Sequence, residues 1–217
     1  MKGKFKLLLT FVLVLILLAG GAIGIYYWYD YTHYVSTDNA VLAADFMKVT
    51  PLASGKLLEF NVEEGDTVVK DQLIGRIDGG AASGAASNLR APISGVIAQK
   101  NAHIGEYESS LQSPTLALIM DPQQIYVTAN IDETEVSKLK VGQSVDITID
   151  QFKGEKFTGK VKSIAQAASN AFSALPTQTS GTFTKVVERV QVKIELNNID
   201  TKLLPGTNVV VKIRVKQ

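Results

Sequence analysis

Cysteine is absent from the 217 residues, which excludes disulfides, thiol chemistry, cysteine metal sites and a lipoprotein anchor together. Neither sign of charge is in excess: 22 lysines and arginines stand against 21 acids, for a net charge of +1. A nucleic-acid binder would carry a basic face, and that balance argues against one. Histidine occurs only at His33 and His103, far apart in sequence and with no Cys, His or Asp cluster around either, so no zinc site is expected. No Gly-x-Ser-x-Gly elbow, Walker loop or Gly-x-Gly-x-x-Gly opens a helix. The serines lack a base at a recognisable spacing. Asp132, Glu133 and Glu135 form an acidic run that reads as the solvated start of a short helix. These absences point away from an enzyme, and no cofactor is expected.

One long hydrophobic run is present. Lys2, Lys4 and Lys6 precede it, and from Leu7 to Tyr29 there is no charged residue until Asp30. As a helix, residues 7–29 would extend about 35 Å at about 1.5 Å per residue, enough to cross a hydrocarbon core about 30 Å thick with some tilt. Tyr26, Tyr27, Trp28 and Tyr29 gather at its far end, where aromatic rings suit the membrane–water interface. The expectation is a cytoplasmic tail (1–6), a transmembrane helix (7–29) anchored at the interface by those four aromatics, and an extracytoplasmic remainder, because positive flanks stay inside. A cleaved signal peptide with its apolar core at 7–18 is the alternative; the run continues past it through Ile23 and Ile25 into the aromatics.

Beyond residue 30 the apolar period changes to two. Segments such as Leu73 to Ile77, Gln124 to Ala129, Val145 to Ile149 and Val209 to Val215 are short, rich in β-branched residues and separated by Gly, Pro, Asn and Asp. One helix is expected at Glu133 to Leu139, with Asp132 as its N-cap. The chain also repeats itself. Ser54-Gly55 followed by Gly65 recurs forty residues later as Ser94-Gly95 followed by Gly105, with Pro51 and Pro92 ahead of each pair. Each copy reads as strand, tight turn, strand, with glycine where a turn needs positive φ. Two equivalent halves suggest a small sandwich in which each covers the other's apolar face. Between them, residues 79–88 have the uncharged Gly/Ala/Ser composition of a flexible linker.

These halves, Pro51 through Val62-Glu63-Glu64-Gly65-Asp66-Thr67-Val68 to Ile74 and Ala91-Pro92-Ile93-Ser94-Gly95 through Gly105, resemble the split lipoyl- or biotinyl-like domain of HlyD-type membrane fusion proteins. Ser36-Thr37-Asp38-Asn39-Ala40-Val41, Val127 to Thr134, Val141-Gly142-Gln143, Lys185 to Ile194 and Leu204-Pro205-Gly206 are similar to the EmrA-like branch of that family. The resemblance spans nearly the whole chain. It implies an all-β protein on an N-terminal transmembrane helix. A connector and first barrel strand would occupy 30–45, the split lipoyl-like sandwich 46–120, and a small β-barrel domain 121–217 together with 36–45. It further implies an adaptor for a multi-span membrane transporter, of the major-facilitator type, assisting export of drugs or other small molecules. Many relatives insert a long helical hairpin between the lipoyl halves to reach an outer-membrane channel. Here only the 79–88 linker stands in its place, so no such channel partner is expected. Members of the family often form rings; a homo-oligomer is left open because no interface is legible.

Lipoyl-like domains can carry a cofactor on a lysine at the tip joining the halves. Residues 78–90 hold no lysine, and Lys70 lies within a half. The remaining candidates are contact surfaces. Phe172, Leu175 and Pro176 stand in an otherwise polar stretch and are candidates for transporter contact, with packing onto the barrel as the alternative. A stand-alone cell-envelope binding or structural protein remains the rival reading, and a lipoyl or biotin carrier a more distant one.

Overall fold

The computed structural model describes residues 2–79, 87–168, 187–197 and 203–216. The chain enters as one helix, α1 (Lys2–His33), and then becomes almost entirely β. It divides into two units.

The first unit is built on a closed barrel. Its strands are β1 (Tyr34–Ala43), β10 (Tyr126–Asp132), β11 (Ser144–Ile149), β12 (Phe157–Ala168), β13 (Arg189–Leu196) and β14 (Asn208–Arg214), in the spatial order β1-β10-β13-β12-β11-β14. Period two decides which side chains fill it. Val145, Ile147 and Ile149 lie opposite Ile213, Val211 and Val209, and all six are buried, while their sequence neighbours face out. Closing the sheet removes the edges on which other chains could pair. The short helix is a single turn, α2 (Glu133–Val136), not the longer one expected to Leu139. Asp132 holds the N-cap position but makes no side-chain cap bond; its carboxylate lies 3.4 Å from Arg189 on β13.

The second unit contains two four-stranded sheets. One has the order β2-β9-β7-β4, from β2 (Phe46–Val49), β4 (Thr67–Val68), β7 (Gly95–Lys100) and β9 (Ala117–Met120). The other has the order β6-β5-β3-β8, from β3 (Gly55–Phe60), β5 (Leu73–Asp78), β6 (Ser87–Arg90) and β8 (Tyr107–Glu108). The repeat therefore does more than stack two halves. Each half forms a central pair, β3·β5 or β7·β9, and lends its short strands to the other half's sheet. Val68 of β4 pairs with Gly95, and Glu108 of β8 pairs with Gly55. The exchange is reciprocal to the level of single bonds. Gly65 N donates to Ile97 O at 2.9 Å and Gly105 N to Leu57 O at 2.8 Å; Ile97 N donates to Asp66 O and Leu57 N to Glu106 O. Ser94 Oγ accepts from Lys70 N at 2.9 Å, and Ser54 Oγ from Ser110 N at 2.9 Å. Leu57, Phe60, Ile74, Ile77, Leu89, Ile97, Leu116 and Ile119 form the shared core.

The repeated glycines have two separate jobs. Gly65 and Gly105 take φ of +91° and +96°, as a tight turn requires. Gly55 and Gly95 are needed for space. A Cβ on Gly55 would lie 1.6 Å from Asp78 O, and one on Gly95 2.1 Å from Met120 O. Two sequence expectations shift at boundaries. The helix continues through residues 30–33, where a connector was expected, and Ser87 and Asn88 belong to β6, paired with Ile77 and Arg76, so eight residues (79–86) join the halves.

The repeat exposes one mismatch. Position 68 of the first half is Val68, 1% exposed, while its counterpart is Glu108, 7% exposed. Burial, with the Glu106 carboxylate adding to it and His103 opposing, raises the Glu108 carboxyl above its ordinary value of 4.5. A carboxyl raised on folding costs stability when ionised, and the cost disappears as pH falls through the raised pKa towards the ordinary one. Glu108→Val is therefore expected to raise the melting temperature at pH 7. The gain should shrink as pH falls to 4.5 and below, followed by circular dichroism in detergent. A variant that melts lower at pH 7 would contradict the assignment.

Candidate functional site

No catalytic cluster is legible in the sequence, and the features that could serve binding are the passage from apolar helix to barrel and the grooves of each unit. Among the described residues, no three His, Cys, Asp or Glu side chains are placed to hold a metal ion. His33 stacks on Tyr29 with ring centroids 4.0 Å apart, and His103 lies 3.5 Å from Glu106. Lys70 sits in the turn after β4.

From Leu13 to His33 the helix is long and apolar enough to cross a membrane, and none of that segment is buried in the protein. Tyr26, Tyr27, Trp28 and Tyr29 occupy its later turns and are 52–69% exposed. Tyr26 and Tyr27 meet edge to face at 5.9 Å. In the last turn Thr32 Oγ1 donates to Trp28 O at 2.9 Å. β1 begins at the next residue after His33, so no linker separates helix from barrel.

Main-chain and side-chain groups from the barrel unit hold that junction. Val215 N donates to His33 O at 2.9 Å. Lys212, on β14, ion-pairs with Asp30 and lies 4.5 Å above the Tyr34 ring, with Arg214 5.7 Å from the same ring. Lys138, just after α2, lies 5.1 Å over Tyr31 and pairs with Glu135 at 2.7 Å. Its hydrogen bond to Glu135 raises the Lys138 ammonium above its ordinary range. The hydrogen bond to Asp30 does the same for Lys212, against an opposing burial effect. A groove of about 500 Å³ opens beside the junction, lined by Tyr26, Tyr29, Asp30, Tyr34, Lys156 and Lys212 among others. In the second unit, an apolar groove of similar size is lined by Phe46, Val96, Leu118, Met120, Leu204 and Pro205.

The structure thus brings the four aromatics to one end of the helix, next to a barrel face that the sequence did not single out. Asp30 and Lys212 are 182 residues apart, and no local pattern joins them. Phe172, Leu175 and Pro176 lie outside the described residues.

Comparison with known proteins follows the same division. Residues 45–120 match the family described as RND MFP, barrel-sandwich hybrid domain, and residues 125–213 match the YknX-like beta-barrel domain. The chain is 36% identical over 183 residues to the putative efflux system component YhbJ of Bacillus subtilis, covering 84% of this chain and 80% of that protein. It is 33% identical over 134 residues to the multidrug export protein EmrA of Haemophilus influenzae, covering 59% of this chain but only 34% of the longer relative. In fold it is similar to ZneB from Cupriavidus metallidurans, with a TM-score of 0.65 at 18% identity over 83% of this chain and 98% of that one. The periplasmic adaptor protein EmrA gives 0.55 at 14% identity over 84% and 98%.

Lys212→Met removes the ion pair and the ring contact at the junction. The pair is partly exposed, so screening limits it to about 0–1 kcal/mol. The expected result is a small drop in melting temperature. Because folding raises the Lys212 pKa above its ordinary 10.5, its contribution is fully present below that value and lost only as pH rises through the raised one. The gap between the two proteins should therefore stay constant from about pH 6 to 9. A gap that closes within that window would show that another group carries the contact.

Proposed function

The chain belongs to the membrane fusion protein family of efflux adaptors, EmrA-like, and from that premise we propose that it is the membrane-anchored adaptor of an export pump. It would bind a multi-span transporter in the same membrane, of the major-facilitator type, and shape the exit path for drugs or other small molecules. The observation that carries this reading is the direct passage from apolar helix α1 into barrel strand β1. With α1 spanning the bilayer and Tyr26 to Tyr29 at its outer interface, the barrel stands at the membrane surface, where a transporter's external mouth opens. Lys2, Lys4 and Lys6 support a cytoplasmic N-terminus and an extracytoplasmic remainder. The names of the relatives, an efflux system component and a multidrug export protein, support the transport role.

The eight residues between β5 and β6 bear on the partner. Fully extended, they measure about 28 Å, and as a loop that must return they project no more than about 14 Å. That reach supports a pump that releases its cargo outside a single membrane and does not dock to an outer-membrane channel. The protein makes and breaks no bonds in this reading; it acts by binding and placement.

Brief cross-linking in cells, mild detergent extraction through a C-terminal tag and mass spectrometry test the partner. A multi-span transporter recovered in near-equal amount is expected. Recovery of the chain alone, or with cell-wall components only, would favour a stand-alone envelope protein.

A further inference from the structure

The barrel face beside the end of α1 is rich in cations, and its position relative to the helix is fixed by contacts within one unit. Lys138 reaches Tyr31, Lys212 and Arg214 reach Tyr34, and Val215 N holds His33 O, which brings Lys216 next to the same helix end. Two of these cations are balanced by carboxylates: Lys212 by Asp30 and Lys138 by Glu135. Among the described residues, Lys140, Arg214 and Lys216 have no carboxylate partner. Lys138 and Lys140 follow α2, and a second turn then places Val141, which is 66% exposed, ahead of Gly142 at φ +90° on the way into β11. Most of this apolar side chain faces solvent, next in sequence to Lys140.

Height along the helix says what this face meets. Tyr31 lies two residues past Tyr29, about 3 Å further along the axis. The polar headgroup layer on each side of a bilayer is about 5–8 Å thick. A cation 5.1 Å from the Tyr31 ring therefore lies within or at the edge of that layer when the Tyr26 to Tyr29 belt sits at its inner boundary. Cations beside the end of a membrane helix, with one exposed valine in the turn ahead of β11, match the chemistry of an anionic lipid surface: phosphates for the ammonium and guanidinium groups, and the acyl boundary for the valine.

We propose that the barrel face formed by Lys138, Lys140, Val141, Arg214 and Lys216 is a second membrane contact that binds anionic phospholipid headgroups and holds the barrel against the bilayer beside its helix. This contact rests on α1 spanning the membrane. It sets the orientation of the barrel independently of any transporter. It is electrostatic in its long-range part, so it weakens at 1 M salt, where the screening length falls to about 3 Å.

The lack of cysteine makes the test direct, because any introduced thiol is unique. Val141→Cys, Ile16→Cys and Leu111→Cys are each made in the full chain, spin-labelled and placed in lipid nanodiscs. Their accessibility to oxygen, which concentrates in lipid, and to a water-soluble nickel complex is then compared. Leu111, 94% exposed in the second unit, provides the water reference, and Ile16 in α1 provides the buried one. In nanodiscs containing phosphatidylglycerol, the Val141 label is expected at the interface, between the two references. It should move to the water value in phosphatidylcholine alone, in 1 M salt, or when Lys138, Lys140 and Arg214 are replaced by Gln. A Val141 label that reads as water in phosphatidylglycerol, while the Ile16 label reads as lipid, overturns the lipid contact and leaves the anchor standing. An Ile16 label that reads as water removes both. Protection of Val141 only after a transporter is added would reassign the face to a protein partner.

Discussion

The sandwich unit depends on two places where backbone lies against backbone with no room for a side chain. Gly55 and Gly95 open β3 and β7, each facing the last residue of its own hairpin partner, Asp78 or Met120, and each also pairing with a short strand lent by the other half. Without that close approach the central pairs β3·β5 and β7·β9 could not begin where they do, and β4 and β8 would lose their places. Because each half completes the other's sheet, neither has a full set of hydrogen bonds alone. The hydrophobic core is shared in the same way, with Leu57 and Ile97 at matching positions and both fully buried.

A sandwich held together by exchange places little demand on the chain that joins its halves. The β5–β6 connection closes between residues already paired in one sheet, and the entropy of a longer loop there grows only slowly with length. Eight residues suffice in this protein. In the barrel unit the chain has no such slack. The helix-to-barrel passage has no spare residue, and cation–ring and ion-pair contacts from β14 and the α2 turn grip it.

Much of this was legible in the sequence, because the signals were local. An uninterrupted apolar run reads as a membrane-length helix, and alternation reads as strands. Val145-Asp146-Ile147-Thr148-Ile149 is buried at each odd residue, as its pattern requires. The forty-residue repeat was visible from its serines and glycines. What was not legible depended on distance in the chain. Two-residue strands such as Thr67–Val68 carry no period, so the exchange could not be seen, and turn glycines could not be told from crowded ones. Asp30 closes the uncharged run in the sequence; in the structure it pairs with Lys212, brought in by barrel closure, and the helix extends to His33. Ser87 and Asn88 read as linker by composition, yet they pair with Ile77 and Arg76. Glu108 carried no sign of burial except its alignment with Val68. The surface offered for transporter contact, at Phe172, Leu175 and Pro176, falls outside the described residues.

The central claim is that this chain enables a transporter to export its cargo, and accumulation of fluorescent drugs in cells tests it most directly. Cells carrying the partner transporter would be compared with no adaptor, with the full chain, and with the full chain whose α1 is replaced by a cleavable signal sequence. The account predicts low accumulation only with the full chain, because the barrel must be held at the membrane beside the transporter. Equal accumulation with and without the full chain would contradict it.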